Sequence, residues 1–418
     1  MRTPHYSSLG RRLTAPVITR LMKQALENPN LISLAAGFTD TPSLPVRKVQ
    51  QAVDNLLGDP PQTEVLQYGT NAGRPGLRKA LADRLSFADH CPEPRDPEEV
   101  LVTNGSQQAL FLALSTLCDP GDIVLVESPT YFVFLENARA LGLEVRSLPD
   151  TDDPEQLFQQ TVTLLEDLQA KGTMARVKAL YLVSYFSNPS SASRSEAEKE
   201  ALAKALASCH CYPSILEDAA YRDLYYQKPW PARSILSLEA FAAFPCLYLG
   251  TTTKPFATGL KIGALHCPHQ EWREKILHLK GNEDFGTANF AQAILEEVLT
   301  KGAYEDQVRK LRSLYQEKAN ILHHALKEVG LAKDGWHWKQ PEGGLYLWLQ
   351  GPSGFDASPD SPFFQKAIEE GVLFVPGSLC MASDHRKQNT VRLSFGSTSR
   401  ENLKVGARRF AKAWQRLT

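Results

Sequence analysis

Short apolar runs alternate with helical stretches along most of this 418-residue chain. The runs are rich in Val, Ile, Leu and Tyr and are bounded by Gly, Pro, Asp or Asn, as β-strands usually are. Several are apolar at nearly every position, which is typical of strands buried on both faces of a sheet. The alternation therefore predicts an α/β fold with a mostly parallel, seven-stranded sheet flanked by helices. The predicted strands cover residues 99–103, 122–127, 144–148, 177–185, 213–217, 246–250 and 261–266.

The pattern changes near residue 302. A charged amphipathic helix predicted over 304–329 leads into strand-like runs at 344–349, 371–375 and 390–395, and a helix predicted over 399–416 closes the chain. We therefore expect a large domain over residues 45–301 and a smaller α+β domain over 302–418. Residues 1–44 are expected to form an N-terminal arm and a segment that joins the smaller domain.

The composition narrows the class of protein. Lys and Arg number 46 against 47 Asp and Glu, so nothing indicates a nucleic-acid or membrane-surface partner. The longest apolar run, 109–114, is far shorter than the ~20 residues that span a membrane. The N-terminus lacks the apolar stretch of a secretory signal. Because the seven cysteines are scattered and odd in number, we expect reduced thiols and a cytoplasmic enzyme.

One short motif has the residue types of a metal site. Cys209-His210-Cys211 contains possible ligands, but adjacent ligands strain a single site and no second pair follows at zinc spacing. Buried thiols near a strand edge are the simpler interpretation, so we expect no metal.

Three polar segments match the needs of pyridoxal 5'-phosphate (PLP) chemistry. A PLP site needs a lysine for the aldehyde, an acid for the ring nitrogen and an anion cradle for the phosphate. Lys254 follows three threonines in a polar loop directly after the strand predicted at 246–250. Read alone, this residue is more simply a solvated loop lysine.

The other two segments follow predicted strands. Asp218 follows the strand at 213–217, where an acid can pair with a pyridinium nitrogen, and Tyr221 comes three residues later. The alternative role for Asp218 is a helix N-cap. Gly105-Ser106-Gln107 joins the strand at 99–103 to an apolar helix, and the N–H groups of a buried helix start bind anions. Ordinary capping by Ser106 is the alternative there.

In their order and spacing, these segments resemble the fold-type I PLP-dependent aminotransferases of the class I/II superfamily. The subgroup that they resemble holds the 2-aminoadipate, kynurenine and aromatic aminotransferases and the aminotransferase-like domains of MocR-type regulators. The resemblance is collinear from about Leu31 to Phe395. The motifs that carry it are Ala35-Ala36-Gly37, Leu66-Gln67-Tyr68-Gly69, Gly105-Ser106-Gln107-Gln108, Ser128-Pro129-Thr130-Tyr131, Ser187-Asn188-Pro189, Glu217-Asp218 with Tyr221, Lys254, Pro341-Glu342-Gly343-Gly344 and Val391-Arg392-Leu393-Ser394-Phe395.

The resemblance implies a role for each matching residue. Lys254 would bind the aldehyde and later move a proton, Asp218 would pair with the ring nitrogen, and Tyr131 would stack on the ring. The remaining cofactor contacts are implied for Ser106, Gln107, Asn188, Tyr221, Thr251 and Lys261. The substrate contacts are implied for Gly37, Asn188 and Arg392. Taken alone, Tyr131 is more simply a packed aromatic, Arg392 a surface salt-bridge partner and Gly37 a turn glycine.

The resemblance also implies a homodimer with shared active sites. Tyr68 would reach the cofactor phosphate of the neighbouring subunit, although taken alone it is only an aromatic residue in a turn.

Three departures from the family pattern lie near the cofactor. Lys261 stands where the family usually has an arginine, so the charge is kept but the bidentate fork is lost. Ser190-Ser191-Ala192 replaces the usual Thr-Gly after the Asn-Pro motif, and Ala219-Ala220 replaces a bulkier residue and a proline. These departures bear on the substrate and the reaction more than on PLP binding.

We expect the transfer of an amino group from an L-amino acid to a 2-oxo acid. The same scaffold also serves cyclases, lyases and decarboxylases of amino acids, and that alternative stays open. A second alternative is a non-catalytic effector-binding domain of MocR type. The roughly 30 residues before the first motif are too few for a helix-turn-helix domain and its linker, which disfavours that alternative.

The N-terminal region bears on the choice of amino donor. In 2-aminoadipate-type relatives a basic residue on the N-terminal helix can meet an acidic substrate side chain. Matching Ile18 to those relatives puts Thr19 at this position and turns Arg20 about 100° further round the helix. We therefore expect a donor with a neutral or basic side chain, unless a one-residue shift brings Arg20 inward.

Overall fold

The computed structural model describes residues 5–15, 27–28, 30–382 and 388–417. Its strands fall into one large sheet and two small ones. The strands are β1 (Ile32–Ser33), β2 (Val100–Asn104), β3 (Ile123–Val126), β4 (Glu144–Ser147), β5 (Val177–Val183), β6 (Ser214–Asp218), β7 (Cys246–Thr251), β8 (Ile262–His266), β9 (Tyr346–Gln350), β10 (Val372–Leu373), β11 (Val375–Pro376) and β12 (Thr390–Ser394).

Helices surround these sheets. Within the described residues the helices are α1 (Ser8–Arg12), α2 (Val46–Leu57), α3 (Pro75–Ala88), α4 (Gly105–Leu117), α5 (Phe132–Leu141), α6 (Pro154–Ala170), α7 (Glu196–Ser208), α8 (Gln270–Asp284), α9 (Asn289–Thr300), α10 (Ala303–Glu328), α11 (Pro362–Glu369) and α12 (Arg400–Gln415).

The large sheet confirms the predicted α/β fold. Its seven strands lie in the order β2-β8-β7-β6-β5-β3-β4, and each corresponds to a strand predicted from the sequence. β4, β3, β5, β6 and β7 pair in parallel, whereas β8 runs antiparallel to both β7 and β2. The strand predicted at 177–185 ends earlier, at Val183, because the chain leaves the sheet there towards Asn188.

Different helices cover the two faces of this sheet. The apolar helix α4 packs on one face, where Leu110 and Leu114 contact a core that includes Leu216 and Leu249. On the other face, α6 and α7 share a core with Ile215 and neighbouring strand residues. The sheet is buried on both faces, as its nearly continuous apolar strands predicted.

The C-terminal part contains the small sheets. β11, β12 and β9 form an antiparallel sheet, and β1 pairs in parallel with β10, which links the two ends of the chain. The strand β1 was not predicted, because two residues carry no periodic signal. The prediction of one strand at 371–375 was wrong, because this segment forms two short strands. β10 pairs with β1 and β11 with β12, and the fully buried Phe374 lies between them.

Two further observations concern the described residues. None of their helices is long and apolar enough to cross a membrane. All seven cysteines are free, and no group of three or more His, Cys, Asp or Glu in this part of the chain is placed to hold a metal ion.

Candidate active site

The candidate site lies where β5, β6 and β7 end. Open α/β sheets bind ligands outside the carboxyl ends of their parallel strands. Asp218 is the last residue of β6, Asn188 follows β5, and Lys254 follows β7. Asn188 and Asp218 are buried, and Lys254 is partly exposed. The fold therefore brings together three residues that the sequence placed after separate strands.

Asp218 is held by two hydrogen bonds. The Tyr181 hydroxyl donates to Oδ2 at 2.9 Å, and the backbone N–H of Ala220 donates to Oδ1 at 3.0 Å. Burial nevertheless raises the pKa of Asp218 to about 6, because the hydrogen bonds compensate the lost hydration only in part. A cation near this carboxylate would restore its charge.

Lys254 carries an amine that is easily deprotonated. Its Nζ donates a 2.7 Å hydrogen bond to the backbone oxygen of Gly37. Burial, and then the positive charges of Arg392 and Lys261, lower the pKa of Lys254 to about 8. At pH 7 about a tenth of this lysine is therefore the free amine, far more than for an ordinary lysine, and this is the form that attacks an aldehyde.

The start of α4 forms an anion cradle beside Lys254. Ser106 and Gln107 lie in the first turn of the helix, where backbone N–H groups lack helical partners. Gly105 adopts a left-handed conformation with φ +67°. A β-carbon on Gly263 of β8 would lie 2.7 Å from the Ser106 nitrogen, so only glycine lets β8 pack this closely against the cradle.

The threonine loop completes the cradle. The Thr251 hydroxyl lies 2.9 Å from that of Thr253. A β-carbon on Gly105 would face the Thr253 methyl group at 3.6 Å and the Lys261 backbone oxygen at 3.8 Å. Lys261 is exposed and has φ +55°. These residues surround the N-terminus of α4 and provide hydroxyl and ammonium donors for a phosphate.

Arg392 lies in β12 and is 1% exposed. Its Nη1 donates to Asn188 Oδ1 at 2.7 Å, and its Nη2 donates to the backbone oxygen of Ala35 at 2.6 Å. Among the residues that the structure describes, its Nε is buried without a hydrogen-bond partner. Arg392 is thus a buried, incompletely bonded guanidinium beside Lys254, and the alternative of a surface salt bridge was wrong.

Tyrosine hydroxyls line the space between Asp218 and Arg392. The hydroxyls of Tyr221 and Tyr346 are 2.8 Å apart, and the Asn188 amide donates to the Tyr346 hydroxyl at 3.4 Å. The guanidinium of Arg392 lies 4.4 Å from the Tyr346 ring centroid. A β-carbon on Gly37 would lie 2.8 Å from the Tyr346 hydroxyl, so a larger residue at this position would displace the ring.

Tyr131 belongs to the same group. Burial, followed by Tyr346 and Asp218, raises the pKa of Tyr131, so its hydroxyl stays protonated. Its ring is tilted against Phe132 at a centroid distance of 5.6 Å. The loop at residues 190–192 departs from the family pattern. It is anchored to Tyr346, because the Ser191 hydroxyl donates a 2.8 Å hydrogen bond to the backbone oxygen of that residue.

Tyr68 lies on the surface, apart from this group. It is 78% exposed, and its ring meets the edge of Phe285, itself 64% exposed, at a centroid distance of 5.5 Å. The residues of the donor prediction, Ile18, Thr19 and Arg20, lie outside the described residues.

The residues present fit a bound PLP molecule. Within the described part of the chain, Lys254 offers an amine of lowered pKa, Asp218 a carboxylate without a cationic partner, and the start of α4 an anion cradle. Arg392 keeps an unpartnered Nε beside them, as a residue that binds a further anion would.

Two residues of this site were missed in the sequence. Tyr181 lies two residues before the end of β5, and Tyr346 opens β9. A tyrosine in an otherwise apolar strand was the available signal, because a buried phenol hydroxyl needs a hydrogen-bond partner.

Comparison with known proteins gives a consistent result. The family model described as aminotransferase class I and II matches residues 29–410. A 2-aminoadipate transaminase of Thermus thermophilus is 30% identical over 410 residues, covering 96% of this chain and 94% of that protein. Aromatic-amino-acid aminotransferase 1 of Thermococcus litoralis is also 30% identical, covering 98% of this chain and 93% of that protein.

Solved structures agree. The kynurenine aminotransferase of Pyrococcus horikoshii, crystallised with PMP, superposes with a TM-score of 0.87 at 27% identity, covering 99% of this chain and 97% of that chain.

Proposed function

The chain belongs to the class I and II aminotransferases, and from this membership we propose how its own residues carry out the reaction. It is a PLP-dependent transaminase that moves an amino group from an amino acid to a 2-oxo acid. Bound PLP supplies an aldehyde that takes up the amino group and a protonated ring that withdraws electrons. Asp218 would pair with the ring nitrogen, and Tyr131 would stack on the ring.

Two groups of residues near Lys254 would hold the two anionic groups. Arg392 binds the substrate carboxylate through its guanidinium, next to Asn188 and the backbone of Gly37. The cofactor phosphate is held by Ser106, Gln107, Thr251 and Lys261. Asn188 and Tyr221 contact the ring oxygen. Nζ of Lys254 accepts the substrate proton and returns it, which its lowered pKa of about 8 permits near neutral pH.

One observation carries these assignments. Lys254 Nζ and Arg392 Nη2 donate hydrogen bonds to the backbone oxygens of Gly37 and Ala35, so both cations lie at one short segment. After burial, the charges that lower the pKa of Lys254 are those of Arg392 and Lys261. These are the residues assigned to the substrate carboxylate and the cofactor phosphate. The amine is therefore close to both cationic side chains, which fits a site that would take the substrate carboxylate and the cofactor phosphate near Lys254.

A cofactor assay tests the function. PLP-loaded protein mixed with single amino acids should form pyridoxamine phosphate and the matching 2-oxo acid in equal amounts. Borohydride reduction followed by peptide mapping should place the label on Lys254 in the unmodified protein and on no residue of Lys254→Ala. Release of carbon dioxide or ammonia without pyridoxamine phosphate would instead indicate a decarboxylase or lyase. Label on another lysine would refute the assignment of Lys254.

We also propose a homodimer in which Tyr68 completes the partner's phosphate site. The exposed pair formed by Tyr68 and Phe285 supports this, because large aromatic side chains are enriched at protein interfaces. Mixing inactive Lys254→Ala chains with weakened Tyr68→Ala chains tests it. A hybrid dimer then has one site carrying both changes and one carrying neither, so activity should rise on mixing. Activity equal to the sum of the separate variants would contradict shared sites.

We propose that the domains divide at residues 44 and 301. We also propose a cytoplasmic location. The pairing of β1 with β10 supports placing residues 1–44 with the smaller domain, and hydrogen exchange would test it. Seven free cysteines support the location, which cell fractionation would test.

A further inference from the structure

Tyr346 has no role in the reaction as proposed so far, although it lies among the residues that do. It opens β9 and pairs with Ser394 of β12, two residues from Arg392. The side chains of Tyr346 and Arg392 therefore point to the same face of their sheet, since successive residues of a strand alternate between faces. Tyr346 is only 1% exposed. A phenol hydroxyl buried in this way needs hydrogen-bond partners inside the site.

The partners of the Tyr346 hydroxyl are the two residues that are proposed to contact the cofactor ring oxygen. The hydroxyl lies 2.8 Å from that of Tyr221 and accepts a 3.4 Å hydrogen bond from the Asn188 amide. The Tyr346 and Tyr221 rings meet edge to face, with centroids 5.7 Å apart. Asn188 Oδ1 accepts a hydrogen bond from Arg392, which fixes the direction of its amide nitrogen. The Tyr346 hydroxyl thus joins Tyr221 to Asn188.

The position of this hydroxyl is fixed by its surroundings. Ser191, three residues after Asn188, donates a 2.8 Å hydrogen bond to the backbone oxygen of Tyr346. A β-carbon on Gly37 would lie 2.8 Å from the Tyr346 hydroxyl, so the glycine leaves just enough room for it. The phenol is therefore held against the segment that contacts Lys254 and against the loop that carries Asn188.

Both tyrosine hydroxyls keep their protons near neutral pH. Burial raises the pKa of Tyr346, although Arg392 and the hydrogen bond with Tyr221 oppose this effect, and burial also raises the pKa of Tyr221. The arginine carries a charge, whereas burial keeps the other groups around Tyr346 neutral. Among the described residues, the ionisable side chains that interact with Tyr346 are Arg392, Tyr221, Tyr131, Tyr315 and Cys380.

The direction of the bond between the two hydroxyls follows from the proposed role of Tyr221. Each hydroxyl has one proton to donate. Once Tyr221 donates its proton to the ring oxygen, the hydrogen bond with Tyr346 requires Tyr346 to be the donor. A hydroxyl that accepts one hydrogen bond becomes a stronger donor in the next, by about 10–30% per bond.

We propose that Tyr346 is a positioning residue that donates a hydrogen bond to Tyr221 and thereby strengthens the bond from Tyr221 to the cofactor ring oxygen. This role rests on the proposed function, since it concerns the ring oxygen of bound PLP. A stronger donor stabilises negative charge on that oxygen and so favours loss of the proton from the nitrogen that joins Lys254 to the cofactor. Tyr346 therefore helps to keep this nitrogen unprotonated at working pH.

A pH titration of the visible absorbance of the PLP-loaded protein tests the role. The absorbance of the cofactor joined to Lys254 changes when the nitrogen loses its proton, so the midpoint is measured without substrate or turnover. Tyr346→Phe keeps the buried ring and removes the hydroxyl. It should raise the midpoint by about 0.3 pH units, which corresponds to about a fifth of a hydrogen bond to a charged group.

Tyr304→Phe is the matched control. Tyr304 is also 1% exposed, and its hydroxyl donates to Asp223 Oδ2 at 2.7 Å rather than to a residue of the cofactor site. Its loss should leave the midpoint unchanged. A rise equal to that of Tyr346→Phe would overturn the specific role of Tyr346.

A double variant distinguishes action through Tyr221 from a general effect on packing. Tyr221→Phe removes the donor to the ring oxygen and should raise the midpoint by more than Tyr346→Phe does. Adding Tyr346→Phe to Tyr221→Phe should cause no further rise, because the bond through which Tyr346 acts is already absent. An unchanged midpoint in Tyr346→Phe, or an equal rise in both backgrounds, would overturn the role and leave the function intact. If the unmodified protein has no visible band, or if Lys254→Ala keeps the same band, the attachment of PLP at Lys254 is refuted and the role with it.

Discussion

The hydroxyl of Tyr181 donates a 2.9 Å hydrogen bond to Oδ2 of Asp218, and both residues are buried. The Tyr181 ring is fixed by stacking on Phe134, with centroids 3.7 Å apart and planes at 3°. A donor held this rigidly favours the ionised carboxylate, against the burial that raises the pKa of Asp218. We therefore propose that Tyr181 positions Asp218, the residue proposed to pair with the cofactor ring.

Replacing Tyr181 by phenylalanine should raise the pKa of Asp218 above its present value of about 6. Removing the hydroxyl donor destabilises the ionised carboxylate more than the neutral carboxyl. As the pH is lowered, the cofactor-free variant should therefore lose PLP affinity at a higher pH than the unmodified protein does. Fluorescence titration with PLP between pH 5 and 9 measures this midpoint. Tyr212→Phe, at a half-exposed tyrosine, is the control and should not move it. Coinciding midpoints for Tyr181→Phe and the unmodified protein would contradict the role.

Asp218→Asn should stabilise the cofactor-free protein at pH 8. The folded-state pKa of about 6 lies above the usual ~3.9, so the folded state binds more protons than the unfolded state between these values. Stability therefore falls as pH rises through this window, by up to ~3 kcal/mol for this group. Asparagine does not ionise, so the variant does not lose this stability as the pH rises. Urea unfolding at pH 4 and pH 8 checks it: the gain should be larger at pH 8.

The same variant should lower turnover on the order of 10³-fold or more, while PLP still binds. Stability and activity would thus change in opposite directions at one residue. A variant with near-normal turnover would show that another group holds the ring nitrogen.

The pKa of Lys254 should depend on Arg392 and Lys261. Competitive acetylation of the cofactor-free protein, followed by mass spectrometry, should give a midpoint near 8 for this lysine. Arg392→Leu and Lys261→Gln each remove a positive charge and should move the midpoint upward. The exposed Arg408→Leu is the control. Since Lys261 is on the surface, its variant keeps the experiment informative even where Arg392→Leu folds poorly.

The Lys199–Glu217 ion pair should contribute strongly to stability. Both side chains are fully buried, with Nζ 2.6 Å from Oε1, and Glu217 precedes Asp218 in β6. Lys199→Met would leave a buried carboxylate unpaired and should cost ~3–5 kcal/mol in the free energy of unfolding. Lys204 lies on the same helix, and its contact with Glu200 is exposed, so Lys204→Met should change stability by less than ~1 kcal/mol. Denaturant unfolding compares the two, and equal effects would contradict the distinction.

The amino donor should carry a neutral or basic side chain rather than that of 2-aminoadipate. An acidic side chain would lack the charge-assisted contact worth roughly 1.5–3 kcal/mol, if Thr19 and not Arg20 faces the substrate. Comparing kcat/KM for 2-aminoadipate, an aromatic amino acid and arginine decides this. A preference for 2-aminoadipate that is abolished in Arg20→Ala would refute both the register and the specificity.

Local sequence was sufficient for the large sheet and for much of the site. Each strand of that sheet is an apolar run bounded by breakers, so its position follows from the chain itself. Asp218 and Lys254 were identified as candidates because each follows such a run, and the carboxyl ends of parallel strands meet at one edge. The resemblance then supplied Arg392, Asn188 and Tyr131, which have no local signature.

The contacts between segments that are distant in sequence were decided only by the tertiary structure. The two-residue strand β1 exists only because β10 offers it a partner. The hydrogen bond from Tyr181 to Asp218 and the burial of Arg392 depend on neighbouring strands and a second sheet. The pKa values of Lys254 and Asp218 likewise follow from burial and from charges distant in sequence. The sequence by itself determined which segments form strands and helices, because that depends on near neighbours. The chemistry of the site was decided by the folded structure, because hydration and charge act through space.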